Sequence, residues 1–186
     1  MKSNKLNKCT IVGLILISII ALSCNKREDD EKLQTKQAGA WEIQVLDVYV
    51  LDTITGGFVL FQTYQDAGFF LLYDNVDEID SPMRNRCEYK IDSTASSGLT
   101  EYLHRIQNDA TNYCYWIADS ENQITLWYGE AFNYLTIDNV VTISIEKDGK
   151  NKQTWTCYLK INQYSDYVPG TDYNVKEVYT VERKKY

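Results

Sequence analysis

Gly39-Ala40-Trp41-Glu42-Ile43-Gln44-Val45 opens the stretch on which the fold turns. Trp41, Ile43 and Val45 fall on one side of it and Glu42 and Gln44 on the other, the period-two pattern of a strand with one buried face. The phase then shifts at Leu46 and an apolar run continues to Leu51, which predicts a bulge or coiling of the strand. With Trp41 turned inward, Ile43 and Val45 are expected to face inward too.

Downstream, turn residues divide the chain at short intervals. Thr55-Gly56-Gly57 leads into a strand at 58–64, and Gln65-Asp66-Ala67-Gly68 reads as a second turn into a strand at 69–73. Residues 84–91 alternate, with Cys87, Tyr89 and Ile91 on one face. Leu99, Tyr102, Leu103 and Ile106 have helical spacing and predict one short helix over 99–108. Strands are then expected at 113–118, 123–128, 131–137, 140–146 and 153–161, followed by a Tyr-rich loop at 163–174 and a closing strand at 175–182. About ten short antiparallel strands with one minor helix mean an all-β barrel or sandwich. Tyr89, Ile91, Trp155 and Leu159 are expected to share the interior with Trp41. Both faces of 113–118 are apolar, so the pattern does not choose between Tyr115 and Trp116.

The opening triplet favours the barrel. Gly39-Ala40-Trp41 resembles the G-x-W signature of the lipocalins. That resemblance implies an antiparallel up-and-down β-barrel of about 8–10 strands. In that family the Trp plugs the closed end and a basic residue of the last strand packs across its ring. Gly39, Trp41 and Arg183 are the matching positions here, and a cation–π stack of this kind contributes on the order of 1 kcal/mol. The chain also resembles the small lipocalin-like lipoproteins of the Bacteroidota. The family implies a fold and, loosely, a ligand-holding role.

Upstream of the barrel, Lys2, Lys5 and Lys8 precede an apolar run from Ile11 to Leu22. A span of the bilayer needs about 20 apolar residues, so the run has the length and flanks of an export signal instead. It ends in Ala21-Leu22-Ser23-Cys24, which resembles the lipobox of bacterial lipoproteins. The resemblance implies a signal peptide over 1–23 and a diacylated Cys24 as the mature N-terminus. Lys26-Arg27-Glu28-Asp29-Asp30-Glu31 resembles the acidic export tag of surface-exposed Bacteroidota lipoproteins. The expected layout is therefore a signal at 1–23, an acidic linker at 24–38 and a barrel domain at 39–186, held by lipid on the outer membrane.

Removing the signal takes three lysines, so 19 basic side chains become 16 against 26 acidic, a formal net charge of −10. That balance argues against nucleic acid as a partner. Fifteen Tyr and four Trp against two Pro suit pleated, half-buried surfaces. Cys87, Cys114 and Cys157 leave at most one internal bridge and one free thiol, with three buried thiols as the alternative.

Catalytic chemistry is not legible. His104 is the only histidine and has no matching zinc or triad partners. The acidic run Asp74 to Asp80 lacks the glycine and terminal glutamate of a calcium loop. No cofactor is implied. Aromatic side chains remain, and Tyr89, Tyr115, Trp116 and Trp155 are the candidate ligand-binding residues for a small apolar or aromatic molecule. The alternative is an interaction module serving an outer-membrane protein partner. It predicts an exposed aromatic patch near Tyr164, Tyr167 and Tyr173.

Overall fold

In a computed structural model, eight strands close into one antiparallel up-and-down barrel, each paired with its sequence neighbours and the last with the first. The residues described are 32–74, 85–91, 99, 112–127, 140–147, 149, 151–160 and 173–184. The strands are β1 (Gly39–Leu51), β2 (Phe58–Leu72), β3 (Arg86–Ile91), β4 (Asn112–Ser120), β5 (Gln123–Trp127), β6 (Val140–Lys147), β7 (Lys152–Leu159) and β8 (Val175–Arg183). The alternating patterns implied a barrel or a sandwich, and the barrel that forms is the one the resemblance of Gly39-Ala40-Trp41 implied. A short helix, α1, spans 32–37. Of the helix expected at 99–108 only Leu99 is described; it is helical and buried. The strand expected at 131–137 lies outside the described residues, as do Cys24, Asp77, Asp80, His104, Tyr164 and Tyr167.

Alternation sets the interior. β6 buries Val141, Ile143 and Ile145 and turns Thr142, Ser144 and Glu146 out. β7 buries Trp155, Cys157 and Leu159, and β3 buries Cys87, Tyr89 and Ile91. β1 follows the rule to Ile43 and then breaks it: Val45 is only half-buried, while Leu46 and Val48 take the inward positions. The register slips between Ile43 and Val45 against both neighbouring strands, which is the bulge the phase shift announced.

The largest departure from the sequence reading is at 65–68. These residues make no hairpin turn but run through the middle of β2, whose fifteen residues combine the two strands expected at 58–64 and 69–73. Asp66 and Gly68 adopt φ of 50° and 130°. Residues that tolerate positive φ serve a bulge as readily as a turn. Here the bulge tucks Ala67 into the core and re-aims Phe70 and Leu72 inward. The Asp52–Gly57 segment does turn as expected. Asp52 accepts hydrogen bonds from the Ile54 amide at 2.9 Å and the Thr55 hydroxyl at 2.6 Å, and these bonds hold its carboxyl below the ordinary carboxylate range.

The segment expected as a linker at 24–38 is described from residue 32, and there Gln34 and Gln37 are buried against the barrel. The Ala118 amide donates to Gln34 Oε1 at 2.9 Å, and Gln153 Nε2 donates to Gln37 Oε1 at 3.3 Å. Two glutamines on a polar-looking helix thus satisfy polar groups that the barrel end would otherwise bury unpaired.

Candidate functional site

At the end of the barrel under α1, three elements converge on Trp41. Its indole N–H donates to the Gln37 carbonyl at 3.0 Å, and its ring lies 5.5 Å from that of Trp155. Arg183, the last residue of β8, sits opposite Trp41 in the ladder and places its guanidinium carbon 4.6 Å from the ring centroid. The same guanidinium donates to the carbonyls of Lys36 at 2.6 Å and Ala38 at 3.0 Å. Burial holds the Arg183 pKa below its ordinary value. Gly39, with φ at 131°, turns the chain from α1 into β1 beside Arg183. Arg183→Met is expected to lower stability by about 2–3 kcal/mol, combining the lost cation–π contact with charge-assisted bonds to two helix-end carbonyls. A urea titration checks this, and a loss below about 0.5 kcal/mol would reduce Arg183 to a surface residue.

Of the four candidate ligand residues, the register brings three together inside and sends one out. Tyr89, Trp116 and Trp155 are fully buried in the interior. Phe70 ties the aromatic cluster together, with ring centroids at 5.2 Å from Trp155, 5.5 Å from Tyr179 and 6.0 Å from Tyr89. Tyr115 faces the outside instead, stacked on Trp127 at 5.8 Å. The choice left open by two apolar faces is therefore made in favour of Trp116. The three interior indoles are satisfied by the protein: Trp116 donates to the Tyr73 carbonyl at 3.1 Å, Trp155 to Gln153 Oε1 at 2.7 Å, and Trp41 to Gln37. Their polar handles are spent on the fold.

The sequence reading missed Glu177. Its carboxylate is wholly buried, accepts the Tyr179 hydroxyl, and accepts the Leu99 amide at 3.2 Å. Leu99 is itself buried in the core cluster. A signal was available: Val175, Glu177, Tyr179 and Val181 share one face of β8, and three of them are apolar or aromatic. Burial, reinforced by neighbouring Cys114, Cys87 and Glu177, pushes the Tyr89 phenol above its ordinary range. Burial first, and the Glu177 charge second, push up the Cys157 thiol. These shifts keep the thiol and the phenol protonated, the opposite of what a nucleophile needs. No group of three metal-ligating side chains is found among the described residues.

The outer wall carries two further features. Near the α1 end, a groove of about 520 Å³ crosses β1 and β2, with Gly68, Phe69 and Leu71 as its floor and Glu42, Asp66, Glu88 and Lys184 around it. Toward the opposite end, the register aligns Tyr158, Lys176, Tyr49 and Leu60 in one row across β7, β8, β1 and β2. Lys176 Nζ lies 5.2 Å from the Tyr49 ring centroid and 6.0 Å from that of Tyr158. Phe58 and Tyr173 flank the row, 5.6 Å and 6.0 Å from the Tyr158 ring. Tyr158 is 44% exposed, Leu60 51% and Tyr173 52%.

No family model matches the chain, and no curated protein resembles it significantly in sequence. Among the described residues, no helix is long and apolar enough to cross a membrane.

Proposed function

We propose that this chain is a lipid-anchored, non-catalytic interaction module. It is held on the outer membrane through Cys24 and engages a membrane-protein partner through the outer wall of its barrel. The observation that carries the reading is the Tyr158–Lys176–Tyr49–Leu60 row with Phe58 and Tyr173 beside it. Exposed contiguous aromatic surface of this kind marks interaction sites, where Tyr supplies rigid contact area at low entropic cost. The interior supports the reading as well. Its described half under α1 is packed with the protein's own rings, and its indole donors are already engaged.

A second reading has one observation in its favour. A small apolar or aromatic molecule with a polar handle would find Glu177 and the Tyr179 hydroxyl inside the barrel, and a buried carboxylate is an uncommon core residue.

Native mass spectrometry of the protein, extracted gently from its own membranes, separates the two readings. The expected result is a co-purifying membrane protein that is lost from a Leu60→Ala/Tyr158→Ala double variant, while Cys24→Ser releases the chain from the membrane. A reproducible small-molecule adduct that survives the double variant and disappears in Glu177→Gln would overturn the first reading in favour of the second.

A further inference from the structure

Cys87 on β3 and Cys114 on β4 are direct partners in the antiparallel ladder, and both side chains point into the core. The Trp116 amide donates to the Asn85 carbonyl at 2.7 Å in the same register. The hydrogen-bonded pairs of this ladder are therefore 85/116 and, two residues on, 87/114. Partners of that type have Cα atoms about 5.5 Å apart, within the range of roughly 4.4–6.8 Å that a disulfide spans. Burial first, and the neighbouring Cys114 second, push the Cys87 thiol up. Cys157 lies on β7, opposite Ile143 and Glu177, with β5 and β6 between it and the pair.

We propose that Cys87 and Cys114 are a disulfide-forming pair that cross-links β3 to β4 on oxidation, while Cys157 remains a thiol. Opposite Cβ atoms in a hydrogen-bonded pair stand about 5.5 Å apart and a disulfide draws them to about 4 Å, so the strands must close up locally. A bond formed under that strain is easily reduced. The chemistry needs an oxidant of the disulfide class. One cysteine thiolate attacks a sulfur of oxidised glutathione, forming a mixed disulfide and expelling one glutathione thiolate. The second cysteine thiolate attacks the protein sulfur of that mixed disulfide and expels the other. Two protein thiols lose two protons and two electrons, and one oxidised glutathione becomes two reduced molecules. Whether the cell supplies such an oxidant rests on the export proposed above; the pairing itself does not.

The experiment separates these two points. The full-length protein carrying Cys9→Ser and Cys24→Ser, which leaves the three barrel cysteines, is reduced, unfolded in urea and refolded with oxidised and reduced glutathione. Free thiols are then alkylated and the peptides identified by mass spectrometry. Cys87, Cys114 and Cys157 allow three pairings, so an unguided chain would spread over all three. The expected result is one dominant product, two mass units lighter, joining the peptides of Cys87 and Cys114, with Cys157 alkylated. It is expected to revert with mild reductant, to persist in Cys157→Ala and to vanish in Cys87→Ala and Cys114→Ala. A dominant bridge to Cys157, an even mixture, or three alkylated cysteines would overturn the proposal. Protein taken directly from membranes adds a separate result: thiols there, with the bridge formed in vitro, would count against the oxidising compartment and leave the pairing standing.

Discussion

Gly68→Ala is expected to remove about 4 kcal/mol or more of folding stability, a large part of the 5–15 kcal/mol typical of a domain. A Cβ built at Gly68 would lie 1.9 Å from the Lys90 carbonyl oxygen and 2.8 Å from its carbon. Both atoms are backbone, so no rotamer change relieves the clash, and β2 must part from β3 where Gly68 pairs with Ile91. The φ of 130° adds strain of about 1–3 kcal/mol for any residue with a side chain. Gly56→Ala is the matched control. Its φ is also positive, at 70°, but nothing lies within 4 Å of the added carbon, so a cost of about 1–2 kcal/mol is expected. Urea midpoints of the two variants beside wild type decide the matter. Equal losses would mean that the close approach of β2 and β3 contributes nothing.

Trp41→Ala is the second large effect, at about 3–5 kcal/mol for deleting a fully buried indole. The deletion also removes the donor to Gln37 and leaves Arg183 with no ring to cover. Trp41→Phe keeps most of the apolar volume and is expected to cost less than half as much. Coupling gives the sharper check. If Arg183 acts partly through the ring, Arg183→Met should cost about 1 kcal/mol less in the Trp41→Ala background than in wild type. Strict additivity would confine Arg183 to its bonds with Lys36 and Ala38.

The fold was legible where one face of a strand is apolar and the other is not. β6 shows that condition from Val141 on, and in β7 it accounts for the burial of Trp155, Cys157 and Leu159 but not of the polar Gln153. It failed where a residue type has two uses. Asp66 and Gly68 signal positive φ, which serves turns and bulges alike, and only the length of β2 distinguishes them. Gln34 and Gln37 look like solvated linker because their burial depends on donors 84 and 116 residues away. Tyr115 and Trp116 are both bulky and aromatic, so their orientation had to come from register with β3 and β5. Glu177 escaped because polarity argues for an outward position, and only its neighbours on β8 argue otherwise. The exterior row could not be read from sequence at all: Tyr158, Lys176, Tyr49 and Leu60 are neighbours only because four strands pair in one register. Of the three tyrosines that the sequence offers for an exposed patch, Tyr173 lies beside the row, and Tyr164 and Tyr167 fall outside the described residues.

The seam between β1 and β8 also bears on the time course of folding. Arg183 reaches a carbonyl 145 positions away, whereas the other ladders join strands consecutive in sequence. Loop-closure entropy therefore makes the seam the slowest contact to nucleate. Before it forms, β1 and β8 are two open edges on a sheet that is otherwise complete, the state in which a barrel is most prone to pair with another copy of itself. Interactions that form after the folding barrier act on escape from the native state rather than on arrival. Arg183, clamped over Trp41 where the seam ends, would then act as a latch: losing it should multiply the unfolding rate while the refolding rate stays nearly fixed.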